Sequence, residues 1–156
     1  MDALDLTLRP PRSPREPLAD LDLLMAARTV DKLRASLPGG NLGAYQITGF
    51  SSRLLEELRI SEALLRDAIA SASTDAEVAA WIRAHSDPAR YAEIDAGFER
   101  LTIAERLSDP TFVARYPILE RLPPEMSRLD LLDADDREMF GGDQATASRS
   151  SDRASA

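Results

Sequence analysis

Pro38-Gly39-Gly40-Asn41-Leu42-Gly43-Ala44-Tyr45-Gln46-Ile47-Thr48-Gly49-Phe50-Ser51-Ser52 is the one long break between helical patterns that is more than polar. Four glycines allow positive φ and a close approach of other backbone or a ligand. Ser51 and Ser52 stand where a helix N-cap belongs, with free N–H groups behind them. Tyr45 and Ile47 alternate with polar neighbours, so the stretch also admits one short hairpin within 38–50.

The flanks of that loop decide the fold class. Upstream, Leu23, Ala26, Val30, Leu33 and Leu37 recur at helical spacing, and Asp20 offers a cap, so a helix is predicted over 20–37. Lys32 lies nearly opposite Val30 and reads as a solvated side chain. Downstream, Leu54, Leu55 and Leu58 mark a helix over 52–59, and Ser61 opens the next. Thr74-Asp75-Ala76-Glu77 is a capping box. Val78, Trp81, Ile82 and His85 then share one face, which places His85 in packing with one ring nitrogen bonded. Asp87-Pro88 restarts the chain for a long helix to about Leu107, and Asp109-Pro110 repeats the device. The expectation is a mainly α, small and irregular helical domain over 20–140. It is preceded by an extended Pro/Arg arm over 1–19 packed on the domain and followed by a disordered tail over 141–156.

Composition excludes several functions. The 156 residues carry a net charge of −8, which argues against an electrostatic grip on nucleic acid or an anionic membrane. There is no cysteine and one histidine, so disulfides, thiolate chemistry and His clusters for a transition metal are out, and neither metal nor cofactor is expected. No apolar run approaches the roughly 20 residues of a membrane span. With no secretory pattern at the start, a soluble cytoplasmic location is the expectation. Lys32 is the only lysine among arginines, consistent with bacterial coding bias.

Asp5-Leu6-Thr7-Leu8-Arg9-Pro10-Pro11-Arg12-Ser13-Pro14-Arg15 resembles the opening of a family of small bacterial proteins, domain-of-unknown-function family 5069. The resemblance continues through Val30-Asp31-Lys32-Leu33-Arg34, Gly43-Ala44-Tyr45 and Thr74-Asp75-Ala76-Glu77-Val78-Ala79-Ala80-Trp81-Ile82, covering roughly 4–85. Many relatives carry an Asn-Cys-Pro-Leu-Asp type stretch after the tyrosine. Here that place reads Thr48-Gly49-Phe50-Ser51-Ser52, so any cysteine chemistry is missing. The resemblance implies no activity.

One constellation points to chemistry. Arg9, Arg12 and Arg15 are spaced by three in a proline-rich segment, and polyproline II repeats every three residues, which sets them on one edge. Guanidiniums so arrayed suit a carboxylate or phosphate. With Gly40, Gly43, Tyr45 and the Ser51–Ser52 helix start they form a candidate anion site, beside which Lys32 is the candidate amine. No P-loop or calcium-loop pattern is present. Three functions follow. The first is a non-catalytic binding or regulatory module for a small anionic ligand or an acidic partner segment. The second is an enzyme on a small carboxylated or phosphorylated substrate. The third is a helical protein-interaction domain. Oligomeric state has no signature in the sequence.

Overall fold

The structure is a computed structural model that describes the backbone of residues 1–154 and side chains through Gly141. The described residues form seven α-helices and no strand, so the fold is mainly α. Only isolated bridges occur. The chain divides into two compact units, Met1–Glu99 and Arg100–Ala156.

The first unit is built around α1 (Ala26–Ala35), nine of whose ten residues are buried. A helix with so little solvent-facing surface cannot follow the usual one-stripe pattern. It packs against α2 (Phe50–Leu58) and α3 (Glu62–Ser71), and α3 packs on α4 (Asp75–Ala84). The N-terminal arm closes another side. Leu6, Leu18, Leu21 and Leu23 are all buried, as are Val30 and Leu33 of α1.

Helix α1 starts six residues later than the periodicity predicts. The N–H groups of Leu18, Leu21, Leu24 and Met25 go to tertiary and turn partners instead of a helix ladder. Leu18 and Leu21 exchange hydrogen bonds at 3.0 and 2.9 Å, and Met25 N–H donates to the Pro14 carbonyl at 2.8 Å. Leu24 N–H donates to Asp95 Oδ1 at 3.0 Å. Ala19 and Met25 hold φ of 52° and 71°, which ends any helix there. Asp20 therefore caps nothing; it pairs with Arg83 at 3.0 Å.

The glycine stretch forms no hairpin with itself. It pairs with the arm: Leu6 N–H donates to the Asn41 carbonyl at 2.8 Å, and Asn41 N–H to the Leu4 carbonyl at 3.0 Å. Glycine is required at two points. A Cβ on Gly40 would sit 2.4 Å from the Ala35 carbonyl oxygen. Gly43, at φ 57°, lies under the arm, where a Cβ would meet Thr7 at 3.2 Å.

The caps predicted at Thr74 and Asp87 form their bonds. Thr74 accepts from Glu77 N–H at 3.2 Å, and Glu77 reaches back to Ser73 N–H at 2.6 Å, one residue beyond the usual partner. Asp87 accepts from Ala89 N–H at 3.1 Å and opens a 3-10 turn, Pro88–Arg90, that leads into α5 (Tyr91–Glu99). The helix expected to reach Leu107 thus ends at Glu99.

In the second unit, Ile103 N–H donates to the Met126 carbonyl at 3.0 Å and Arg128 N–H to the Leu101 carbonyl at 2.9 Å. Asp109 caps α6 (Pro110–Arg115) by accepting from Thr111 and Phe112 N–H at 3.0 and 3.3 Å. A 3-10 segment, Pro117–Arg121, leads on to α7 (Arg128–Ala154). The core is Ile103, Ile118, Leu119, Leu131 and Ala134, with Phe112 and Tyr116 against it. The stretch expected to be a disordered tail, 141–156, has helical backbone to Ala154; its side chains from 142 and residues 155–156 lie outside the described residues. No helix of the described residues is long and apolar enough to cross a membrane.

Candidate functional site

The three arm arginines do not converge. Arg9 is exposed and, among the described residues, reaches only the Pro10 carbonyl, at 3.5 Å. Arg15, also exposed, pairs with Glu99 at 2.6 Å. Arg12 is the structural one. Its Nε and NH2 donate to both oxygens of Asp31, at 3.1 and 2.9 Å, and its NH1 to Asp75 at 2.7 Å. Asp31 is fully buried, and Arg12 N–H donates to it as well, at 2.9 Å. Burial opposes the charge on Arg12, yet its hydrogen bonds to Asp31 and Asp75 outweigh that and hold the guanidinium above its ordinary pKa. The polyproline spacing failed as a guide because the arm makes a turn at 13–16, where Glu16 N–H donates to the Ser13 carbonyl. That turn breaks the threefold repeat.

Ser51 and Ser52 are not caps either. Helix α2 begins at Phe50 behind Gly49, at φ 65°, so both serines lie inside its first turn. Ser51 is fully buried and accepts from the Thr29 hydroxyl at 3.1 Å. Ser52 donates to the Ile47 carbonyl at 2.8 Å. The hydroxyls fasten α2 to α1 and to the loop.

Lys32 overturns the expectation of a solvated lysine. It is 5% exposed, and its Nζ donates to the Gln46 carbonyl of the glycine loop at 3.0 Å. One helical turn earlier stands Arg28, 2% exposed, whose NH1 donates to the Arg12 carbonyl at 3.2 Å. Both cations address the same ring: Tyr45, 8% exposed, has Arg28 Cζ at 5.6 Å and Lys32 Nζ at 6.0 Å from its centroid. Arg28 was missed from sequence because an arginine beside an apolar stripe reads as a rim residue. The only signal in the sequence was the i, i+4 spacing of Arg28 and Lys32 on one helix, which does not by itself show burial.

Helix α1 therefore carries Arg28, Lys32 and Arg34 against Asp31, a net of two positive charges, inside a protein of net −8. Arg34 NH1 is 3.8 Å from Asp31, its Nε donates to the Asp2 carbonyl at 3.0 Å, and Arg12 holds the other side of that carboxylate. The 43–49 loop, with positive φ at Gly43 and Gly49, runs over Lys32 and contributes Tyr45 and Gln46. This arrangement places two buried cations next to loop backbone that turns through two positive-φ glycines. Chemically, it suits the hydrogen-bonded neutralisation of a small oxyanion. Among the described residues no group of three or more His, Cys, Asp or Glu is placed to hold a metal ion.

No curated protein matches the sequence. The family model described as Domain of unknown function (DUF5069) matches residues 8–138, from the arginine arm through α1, the glycine loop and into α7. By that match over most of its length, the chain belongs to the DUF5069 family.

Proposed function

We propose that this protein is a non-catalytic binding or regulatory module for a small anionic ligand or an acidic segment of a partner. The site is the Arg28–Lys32 face of α1 under the 43–49 loop. The observation that carries the reading is the burial of two cations, four residues apart, against one tyrosine ring in an otherwise acidic chain. With the buried Asp31 held by Arg12, Arg28 and Lys32 leave an excess of positive charge there that favours an anionic group. The ligand enters as the loop lifts, and the Gln46 carbonyl yields its place on the Lys32 ammonium to an oxyanion. Gly40, Gly43, Ser51 and Ser52 shape the loop and its seat, and Arg12 keeps Asp31 neutralised, so that its carboxylate does not cancel the cations. Arg9 and Arg15 stay at the rim.

A second reading, an enzyme on a small carboxylated or phosphorylated substrate, draws on one observation: the chain's only lysine is buried beside a tyrosine. A thermal-shift panel of phosphates and small carboxylates tests the binding reading. The expected result is a saturable rise in Tm that disappears in Lys32→Gln and is reduced in Arg28→Lys. A hit unchanged by Lys32→Gln, or no hit, overturns it. Time-dependent turnover of a hit would select the enzyme instead.

A further inference from the structure

A separate cavity of about 370 Å³ opens where the end of α2 meets the turn between α4 and α5. That volume is in the range of small-molecule pockets. Most of its polar lining is already engaged. Glu57 pairs with Arg90 at 3.0 Å, and its carbonyl accepts from the same guanidinium at 2.7 Å. Ser86 Oγ donates to the Ile82 carbonyl at 2.5 Å and bonds the Tyr91 hydroxyl at 2.6 Å. Asp87 caps the following 3-10 turn.

Two groups on the wall are left over. The Arg59 side chain makes no hydrogen bond or ion pair among the described residues and is exposed, while its backbone N–H donates to the Glu56 carbonyl at 3.1 Å. It also occupies the left-handed position after α2, at φ 56°. Glycine is the usual residue there, and an L side chain costs roughly 1–2 kcal/mol in that conformation. The chain keeps an arginine where the backbone favours none, which directs attention to what its side chain does. The second group is His85. Its ring is stacked on Trp81, with centroids 3.9 Å apart and planes at 15°. Its Nδ1 lies 2.8 Å from the Trp81 carbonyl, which can only accept, so Nδ1 carries the proton. In the neutral ring Nε2 is then an acceptor, held in place by the stack and the hydrogen bond.

We infer that this cavity binds a small hydroxylated monocarboxylate. The carboxylate pairs with Arg59, a hydroxyl donates to His85 Nε2, and the carbon skeleton lies on Leu58 and Ile94. Glu57 already takes up Arg90, so Arg59 is what meets the single negative charge, and the Glu57 and Asp87 carboxylates on the same wall repel a polyanion. Nothing in this site draws on the Arg28–Lys32 face.

The chain has one histidine, so its imidazole signals in an NMR spectrum of the full-length protein need no assignment. Lactate and propionate, which differ in size by one hydroxyl, are titrated at constant ionic strength while the His85 ring signals are followed. Lactate should give a saturable shift, with propionate at least about threefold weaker for want of the hydrogen bond. Arg59→Gly should weaken lactate at least about tenfold, the size expected for a charge-assisted bond. Its Tm should be unchanged or higher, since glycine relieves the backbone. Lys32→Gln should leave the titration untouched, which separates this site from the one on α1. A non-saturable lactate response, equal binding of propionate, wild-type binding by Arg59→Gly, or a lower Tm in that variant would each overturn the assignment.

Discussion

Replacing Arg12 by alanine tests what holds the arm to the rest of the first unit. The guanidinium gives Asp31 two hydrogen bonds, at 3.1 and 2.9 Å, and Asp31 is fully buried. The alanine variant keeps the backbone bond from residue 12 and the more distant Arg34, at 3.8 Å. It leaves a buried carboxylate mostly uncompensated. Removing one partner of such a pair costs about 3–5 kcal/mol, and the remaining contacts place this case near the lower figure. The bond to Asp75 adds little, because that carboxylate is one-third exposed and screened. For a unit near 100 residues a loss of about 3 kcal/mol lowers Tm by roughly 12–24 °C. Urea unfolding followed by far-UV circular dichroism measures it, and an unchanged slope would confirm that the native state is otherwise intact. Arg15→Ala is the internal control: its pair with Glu99 is exposed on both sides and should cost about 0–1 kcal/mol. The double variant Arg12→Met, Asp31→Leu should recover most of the loss, since neither charge is left behind. Equal, small effects of Arg12→Ala and Arg15→Ala would refute the reasoning.

Other perturbations follow from the same contacts. Asp95 is pushed up, first by burial and then by Asp22 and Glu99, against the lowering effect of Leu24 N–H. A carboxyl whose folded pKa is raised favours the folded state at low pH and loses that contribution as pH rises through the folded value. Asp95→Asn should therefore stabilise the protein at pH 7, with the advantage fading in melts run below the ordinary aspartate range. Gly40→Ala forces a Cβ against backbone at 2.4 Å, so it should reduce stability by well over the ~1 kcal/mol expected for an unstrained glycine substitution, as read by urea midpoint. Thr74→Ala removes the cap of α4 and should cost about 1 kcal/mol, with Thr74→Ser restoring it.

What was legible from the sequence was local. Capping motifs at Thr74, Asp87 and Asp109 need only a few neighbouring residues, and each forms its bond. The mainly α class rests on helical spacing and holds in the same way. What was illegible depends on long-range partners. The start of α1 is set by Pro14 and Asp95, far away in sequence, and the last expected long helix stops where the chain turns into the second unit. The candidate site shows the same division. The loop, Tyr45 and Lys32 come together, while Arg12 is taken up by two carboxylates and the serines by hydroxyl and carbonyl partners. Arg28 stayed hidden because its burial comes from the arm and loop laid over α1, which periodicity within one helix does not encode.

The most direct measurement is the Tm of wild type and Lys32→Gln in millimolar inorganic phosphate, against chloride at equal ionic strength. A ligand at ten times its Kd stabilises the native state by about 1.4 kcal/mol, whereas general salting effects act on both proteins alike. Phosphate-specific stabilisation of the wild type that is absent from Lys32→Gln is the predicted result. The same rise in both proteins, or none in either, would contradict an oxyanion site on the buried cationic face of α1.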